Sequence, residues 1–539
     1  MTARDTVGST TDQTIAGLPT KQGGYGSPAQ AVALATLCLV LFLTFLDNTI
    51  VSAALADIQS SLHAGVTGLQ WVINGYALAF ASLMLAGGML GDIYGRKKVT
   101  LAGVAIFCAG SVIAAVAPNI DVLTAGRVVM GVGAAASEPG TLSIIRHVYP
   151  DRGTRADALG LWAAVSGLAL ALGPVIGGTL DGIWDWRAIF WFNLVFGVVA
   201  FAMAGFFVPE SADPEGRRVD LPGVVLAAAA IASLSFAVIQ GEESGYRTWW
   251  IDLLFGLAVV CFVLFLIVER RSKSPMLDLK FFRRPAFAGS NFVAFATYFG
   301  TFSIFFFTAL YVEVVGNTTP FQLAVDFVPM AVGMVVASAL TGPWVARIGA
   351  RIPMTLGCLL AGGGILATHS VLQPNSGFST LGWVLPIAGV GFGMALVPVT
   401  TSALTVVPPN RSGMAASTTN TSRELGAVFG VAVLGSIVNS QLTGNLVARL
   451  RALHLPTSIQ QLALSAVTHG GLTSSAASQA AHSSNSTVSK IATEVEQAAW
   501  AAFGSGLRLA LLLSGLLILA GAVVAFFTIH VPGGETYEL

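Results

Sequence analysis

Apolar runs of about twenty residues alternate with short polar breaks along most of the chain. Runs of that length suit helices that cross a bilayer. Fourteen spans are predicted, at 31–52, 69–90, 99–117, 121–145, 157–181, 188–208, 222–240, 251–268, 286–312, 321–343, 353–371, 380–404, 413–438 and 507–529. The polar start, residues 1–30, has no signal-peptide run and reads as a disordered cytoplasmic tail. The longest break, 439–505, is rich in Ser, Ala and Thr and reads as an outer loop. Inside it, 489–502 has the spacing of an amphipathic surface helix.

The break after the second span reads Gly88-Met89-Leu90-Gly91-Asp92-Ile93-Tyr94-Gly95-Arg96-Lys97-Lys98. Its glycines allow a sharp reversal. Asp92 and the three cations are too polar for hydrocarbon, and clustered Lys and Arg mark a cytoplasmic edge. The same outline returns at Gly342 to Arg351. Gly88 corresponds to Gly342, Gly95 to Gly349 and Lys97 to Arg351, at a constant offset of 254 residues, with Asp92 replaced by Ala346. A degenerate second copy implies two related halves. The copies follow the second and the tenth spans, so equivalent positions lie eight spans apart. Two six-helix halves, 31–210 and 286–539, are then separated by an inserted pair of spans within 211–285.

Charge sets the orientation. Of the 27 Lys and Arg residues, only Arg187, Arg247, Arg449, Arg451 and Lys490 fall on the side opposite the signature loop. Arg127, Arg423 and Arg508 lie inside spans. This bias predicts both termini in the cytoplasm and a multi-pass protein of the plasma membrane.

Composition removes other classes. Hydrophobic residues make up 54% and charged residues 10%, which excludes an ordinary soluble domain. The formal net charge is zero and no basic–aromatic patch exists, so no nucleic-acid partner is expected. The four cysteines all sit in apolar runs without a CxxC pair, so neither a metal site nor a disulfide framework is expected. No P-loop, HExxH or GxSxG pattern occurs, which argues against an ATP-driven pump and against those enzyme classes.

Charges inside the spans are the candidate chemistry, because each is costly there without a partner, a water cavity or a function. Asp47 sits late in the first span. Arg127 and Glu138 lie eleven residues apart in the fourth, on one helix face and roughly 16 Å apart along the axis. Ser137 or Thr141 could satisfy Glu138 locally. Asp326 lies near the outer end of the tenth span. Arg423 and Glu424 are adjacent in the thirteenth, so they point to different faces and need separate partners. In the fifth span, Ala169, Gly173 and Gly177 are four apart and form a nearly bare face for close helix packing, with a bend supplied by Pro174.

Several of these stretches resemble one family. Gly88–Lys98 resembles the signature loop of the major facilitator superfamily of secondary transporters. Phe45-Leu46-Asp47-Asn48-Thr49-Ile50-Val51 resembles the first-helix motif of its fourteen-helix drug:proton antiporters, although the Asn and Pro that usually follow are missing. Leu123 to Ala134 resembles the family's Arg-containing fourth-helix pattern, with Met130 in place of the frequent Gln. Gly160, Gly173, Pro174, Gly177 and Gly178 resemble the antiporter motif of exporters, with Ala169 replacing one glycine. Trp186-Arg187 through Asn193 resembles the stretch that begins the sixth helix, and Asp220 to Gly223 the start of the inserted pair.

The resemblance implies an all-α integral membrane protein with the major facilitator fold. It implies a proton-coupled multidrug exporter working by alternating access on amphipathic or cationic small molecules. It assigns proton coupling to Asp47 and Arg127, and conformational gating to Gly88, Asp92, Gly95, Arg96 and Lys97. Glu138 departs from the family, which usually has an apolar residue before this proline, and is a further candidate for proton coupling as a second carboxylate in the cavity. Aromatic residues of the ninth span (Tyr298, Phe302 and Phe306) are candidates, with Glu138, to contact substrate; lipid contact is the alternative for the aromatics. The expected partners are a small-molecule substrate, protons and the bilayer, around a monomeric transport unit. No cofactor is expected beyond the proton gradient. A dedicated exporter of one endogenous metabolite, siderophore or lipid is the competing reading on the same fold.

Overall fold

The computed structural model describes residues 27–529, except 65, 213–219, 273–274, 276, 309–319, 374–377, 409–410 and 453–485. Among them there is no strand, only helices and their connections. In chain order the helices are α1 (Pro28–Ile50), α2 (Leu55–Leu62), α3 (Val66–Tyr94), α4 (Arg96–Ala115), α5 (Ile120–Val148), α6 (Arg152–Ile183), α7 (Arg187–Phe207), α8 (Leu221–Ser244), α9 (Trp249–Arg271), α10 (Pro285–Phe302), α11 (Pro320–Ile348), α12 (Arg351–Val371), α13 (Phe378–Thr405), α14 (Ser412–Ala452) and α15 (Ser486–Thr528).

Every predicted span falls on one of these helices. Twelve helices among the described residues are long and apolar enough to cross a membrane, and α6, bent by 43° between Leu170 and Val175, makes a thirteenth. Pro174 lies in that bend. The remaining predicted span, 286–312, is α10 continued by a π-helical turn, Ser303–Thr308; its last residues lie outside those described. The short helix α2 was not expected. Large apolar side chains on α9 such as Leu253, Val259 and Phe262 stand exposed, as a lipid-facing surface requires.

Local chemistry accounts for the ends. Ser27 and Gln30 form a reciprocal capping box at α1, so the helix starts at Pro28, before the boundary expected at residue 30. Asp151 caps α6, and the amides of Thr154 and Gly153 hold its carboxyl below the usual range. Gly95 and Gly349 both have positive φ, 108° and 82°, so the two copies of the signature turn share their backbone as well as their sequence.

Small residues set how closely the helices pack. A Cβ on Gly88 would strike Ser417 and Gly413 of α14, and a Cβ on Gly342 would strike Ala156 and Asp157 of α6. These equivalent glycines thus lie at two equivalent seams, α3 against α14 and α6 against α11, where one half meets the other. The inserted pair packs through α8 onto α3 and α14, with Trp71 and Phe236 in ring contact at 5.0 Å.

The segment expected as an outer loop, 439–505, is helical at both ends. α14 runs on to Ala452, and α15 begins at Ser486, so the predicted surface helix 489–502 is the start of the last long helix. The two extensions pack on each other. Leu446, Leu450, Ala498 and Ala502 are buried, and Asn445 donates to the Ser505 hydroxyl at 2.7 Å. Polar outer faces disguised this as loop composition, whereas every third or fourth residue is apolar. Residues 453–485 lie outside those described.

Candidate functional site

Three groups of candidate residues occupy different depths of the bundle. The first lies inside the N-terminal half. Asp47 of α1 and Arg127 of α5 form a buried ion pair, with side chains 0% and 1% exposed. Asn193 of α7 donates to the other Asp47 oxygen at 2.7 Å. Arg127 Nε donates to the Val72 carbonyl of α3 at 2.9 Å, and its guanidinium lies 4.6 Å from the centre of the Tyr76 ring. Tyr76 in turn donates to the Thr44 carbonyl at 3.0 Å. The carboxylate therefore has its charge matched and its hydrogen bonds drawn from two other helices, α5 and α7, while α3 holds the guanidinium, as burial of an ion pair demands.

The second group crosses between the halves. Glu138 of α5 is 1% exposed. Neither Ser137 nor Thr141, the local alternatives, satisfies it. Ser137 donates to the Ala134 carbonyl, and Thr141 to the Glu138 backbone carbonyl. Its carboxylate instead accepts from Asn420 of α14 at 3.0 Å. Asn420 accepts from Arg423 at 3.0 Å, and Arg423 also donates to Thr400 of α13. The Arg423 guanidinium lies over Trp162 of α6 and Tyr298 of α10, 5.6 Å from each ring centre. Glu424 is buried on the next face of α14.

The third group is the signature loop. Asp92 accepts from Arg96 through Nε at 3.0 Å and Nη2 at 2.8 Å. Its other oxygen accepts from the Met414 amide at the start of α14, at 3.1 Å. A carboxylate there meets unpaired amides and the positive end of the helix dipole. A Cβ on Gly413 would strike this carboxylate, so the site needs glycine. Lys97 donates through Nζ to the Gly205 carbonyl at 2.7 Å and through its amide to Glu210 at 3.0 Å. Arg146 donates to the Val407 carbonyl at 3.0 Å, adding a second tie between the halves on this face. Asp92→Asn removes the charge of the latch and weakens it by about 1 kcal/mol. That equals about a fivefold shift in population toward separation at this face. A cysteine placed at the buried position Ser417 is then expected to react with a maleimide severalfold faster, and an unchanged rate would show that Asp92 holds nothing closed.

Gly173 and Gly177 face α1, where a Cβ would strike the Thr49 side chain and the Ile50 carbonyl respectively; around Gly178 there is nothing within 4 Å. Gly160 faces Ser338 and Gly342 of α11. Tyr298 is buried, at 4% exposure, whereas the side chains of Phe302 and Phe306 lie outside those described. Asp326 is buried at 6% exposure. An apolar groove of about 720 Å³ between α11 and α13, lined by residues such as Val336, Leu340 and Pro386, carries none of the candidate residues. Among the described residues no group of three His, Cys, Asp or Glu is placed to hold a metal ion.

Sequence reasoning passed over Asn193 as a partner of Asp47, and Asn420 and Trp162 altogether. Asn193 ends the Trp186-Arg187 motif stretch, which was the one signal available. Asn420 sits in a run of Ser and Thr that gave none.

Two related helical halves, with charged groups buried within and between them and a carboxylate of one half on a helix N-terminus of the other, have the architecture of a membrane transporter. The chain belongs to the Major Facilitator Superfamily, whose family model matches residues 37–431. It is 35% identical over 417 residues to the multidrug resistance protein Stp of Mycobacterium tuberculosis (strain CDC 1551 / Oshkosh), covering 77% of each chain. It is 32% identical over 414 residues to the methylenomycin A resistance protein of Bacillus subtilis (strain 168), covering 76% of this chain and 88% of that one. Among solved structures, the human organic anion transporter MFSD10 (TETRAN) matches with a TM-score of 0.57 at 14% identity, over 91% of this chain and all of that one, a likeness of fold.

Proposed function

We propose that the protein exports amphipathic or cationic small molecules in exchange for protons, by alternating access. Relatives named for multidrug and methylenomycin A resistance support the direction and the class of cargo. The observation that carries the coupling is the Glu138–Asn420 hydrogen bond, which joins a buried carboxylate of one half to the other half. A carboxylate accepts this bond with charge assistance, and protonation weakens it. Proton binding at Glu138 thereby changes a contact between the halves. Asp47 is the second proton carrier, and Arg127 sets its affinity by contact or withdrawal. The two halves rock about the centre, with the signature-loop face cytoplasmic, both termini inside, and one chain as the transport unit in the plasma membrane. The proton gradient supplies the energy.

The test is ethidium efflux from cells, with and without an uncoupler, beside Glu138→Gln. Efflux is expected to stop with the uncoupler and to fall at least tenfold in Glu138→Gln. Efflux unaffected by the uncoupler would remove proton coupling. An unimpaired Glu138→Gln would remove that carboxylate from the mechanism. The name of the methylenomycin relative, which specifies one antibiotic, supports a second reading: a dedicated exporter of one compound. A wild type that leaves ethidium untouched while a single ligand stabilises it would favour that reading.

A further inference from the structure

Four side chains from both halves meet at the seam: Glu138 on α5, Tyr298 on α10, and Asn420 and Arg423 on α14. Each is at least nine-tenths buried. Asn420 is a bridge between opposite charges, donating to Glu138 Oε1 and accepting from Arg423 Nη1. The guanidinium is fixed by Thr400 and by the faces of Trp162 and Tyr298.

The polar atoms left over are of complementary kinds. Glu138 Oε2 is a bare acceptor, Arg423 Nε a bare donor, and the Tyr298 hydroxyl is bare; none has a hydrogen-bond partner among the described residues. Buried polar groups are nearly always bonded, so three unmet atoms around one bridge point to a ligand. We propose that this cluster is a substrate subsite for zwitterions, aromatic molecules that carry a cationic nitrogen and a carboxylate. Glu138 Oε2 takes the cationic end. Arg423 Nε and the Tyr298 hydroxyl take the carboxylate. The rings of Trp162 and Tyr298 flank the aromatic body.

A lone cation satisfies Glu138, leaves Arg423 Nε unmet and brings a second positive charge beside the guanidinium. A lone anion fails at Glu138 in the same way. Discrimination arises because the wrong ligand strands a buried donor or acceptor. This inference rests on the export reading above and narrows its cargo.

The probes are rhodamine 110, with a cationic xanthene whose nitrogens carry N–H donors and a free carboxylate, and its methyl ester rhodamine 123, which is a cation only. Transport into proteoliposomes under an imposed pH gradient is measured net of protein-free vesicles, with ethidium alongside. Wild type is expected to move rhodamine 110 with about tenfold higher kcat/KM than the ester. Arg423→Gln is expected to bring that ratio to about one. Tyr298→Phe keeps the ring, loses only an unpartnered hydroxyl, and is expected to lower the ratio about threefold without changing Tm. It therefore tests the subsite even where Arg423→Gln does not fold. An ester moved as well as rhodamine 110 by wild type, or a ratio unchanged in Tyr298→Phe, overturns the subsite. Ethidium transport without transport of either rhodamine overturns the subsite and leaves export standing. No gradient-driven movement of any of the three overturns the reading as an exporter of amphipathic or cationic molecules, and the subsite with it.

Discussion

Asp47→Asn is expected to abolish pH-driven export while the protein still folds, whereas Arg127→Ala is expected to lose the folded protein itself. The difference lies in what each change strands. Asn at position 47 keeps the shape and an oxygen that accepts from Arg127, but cannot carry a proton at working pH. Arg127→Ala removes the cation from a carboxylate that is completely buried, and also the tie to the Val72 carbonyl and the contact with Tyr76. Breaking one side of a buried pair costs about 3–5 kcal/mol, against a total stability of roughly 5–15 kcal/mol for a typical domain. Arg127→Gln in an Asp47→Asn background leaves no stranded charge and is expected to recover much of the lost stability. Size-exclusion profiles and melting curves in detergent measure folding, and vesicle transport measures coupling. Equal melting temperatures for Arg127→Ala and wild type would show that Asp47 is solvated by something other than this arginine.

The second large effect concerns two adjacent glycines. Gly177→Val is expected to destabilise the α1–α6 packing by at least about 1–3 kcal/mol, the usual range for an overfilled site. The new side chain meets a backbone carbonyl, that of Ile50, which cannot turn aside as a side chain would. It also disturbs the helix end that carries Asp47, so transport is lost with stability. Gly178→Ala adds a methyl where there is nothing within 4 Å and is expected to leave both transport and Tm unchanged. One residue further along a helix is about 100° around its axis, enough to leave the seam. Parallel melts and efflux assays of the two variants decide the matter; equal damage from both would mean that the α1–α6 seam does not limit stability.

What could be read in advance was what a single stretch of chain settles with itself. In lipid each helix must satisfy its own backbone, so apolar length alone marks a span. The predicted runs accordingly coincide with helices. The signature turns were legible because Gly95 and Gly349 need only local backbone freedom. Asp47, Arg127 and Glu138 drew attention because a charge in an apolar run is conspicuous whatever it touches. The polar break at 439–505 misled, because α14 and α15 hide a shared apolar seam behind polar outer faces.

Partnership was decided only by tertiary structure. Asp47 and Arg127 stand 80 residues apart, and Glu138 and Asn420 stand 282 apart. No local pattern encodes which helix will lie opposite. The glycines four apart in α6 announced a close neighbour, and the packing of the bundle selected α1. Glu138 was visible as a misplaced charge, but its role as a link between halves comes from an asparagine that carries no charge. A neutral amide in a Ser/Thr run becomes conspicuous only when folding sets it between a buried carboxylate and a buried guanidinium.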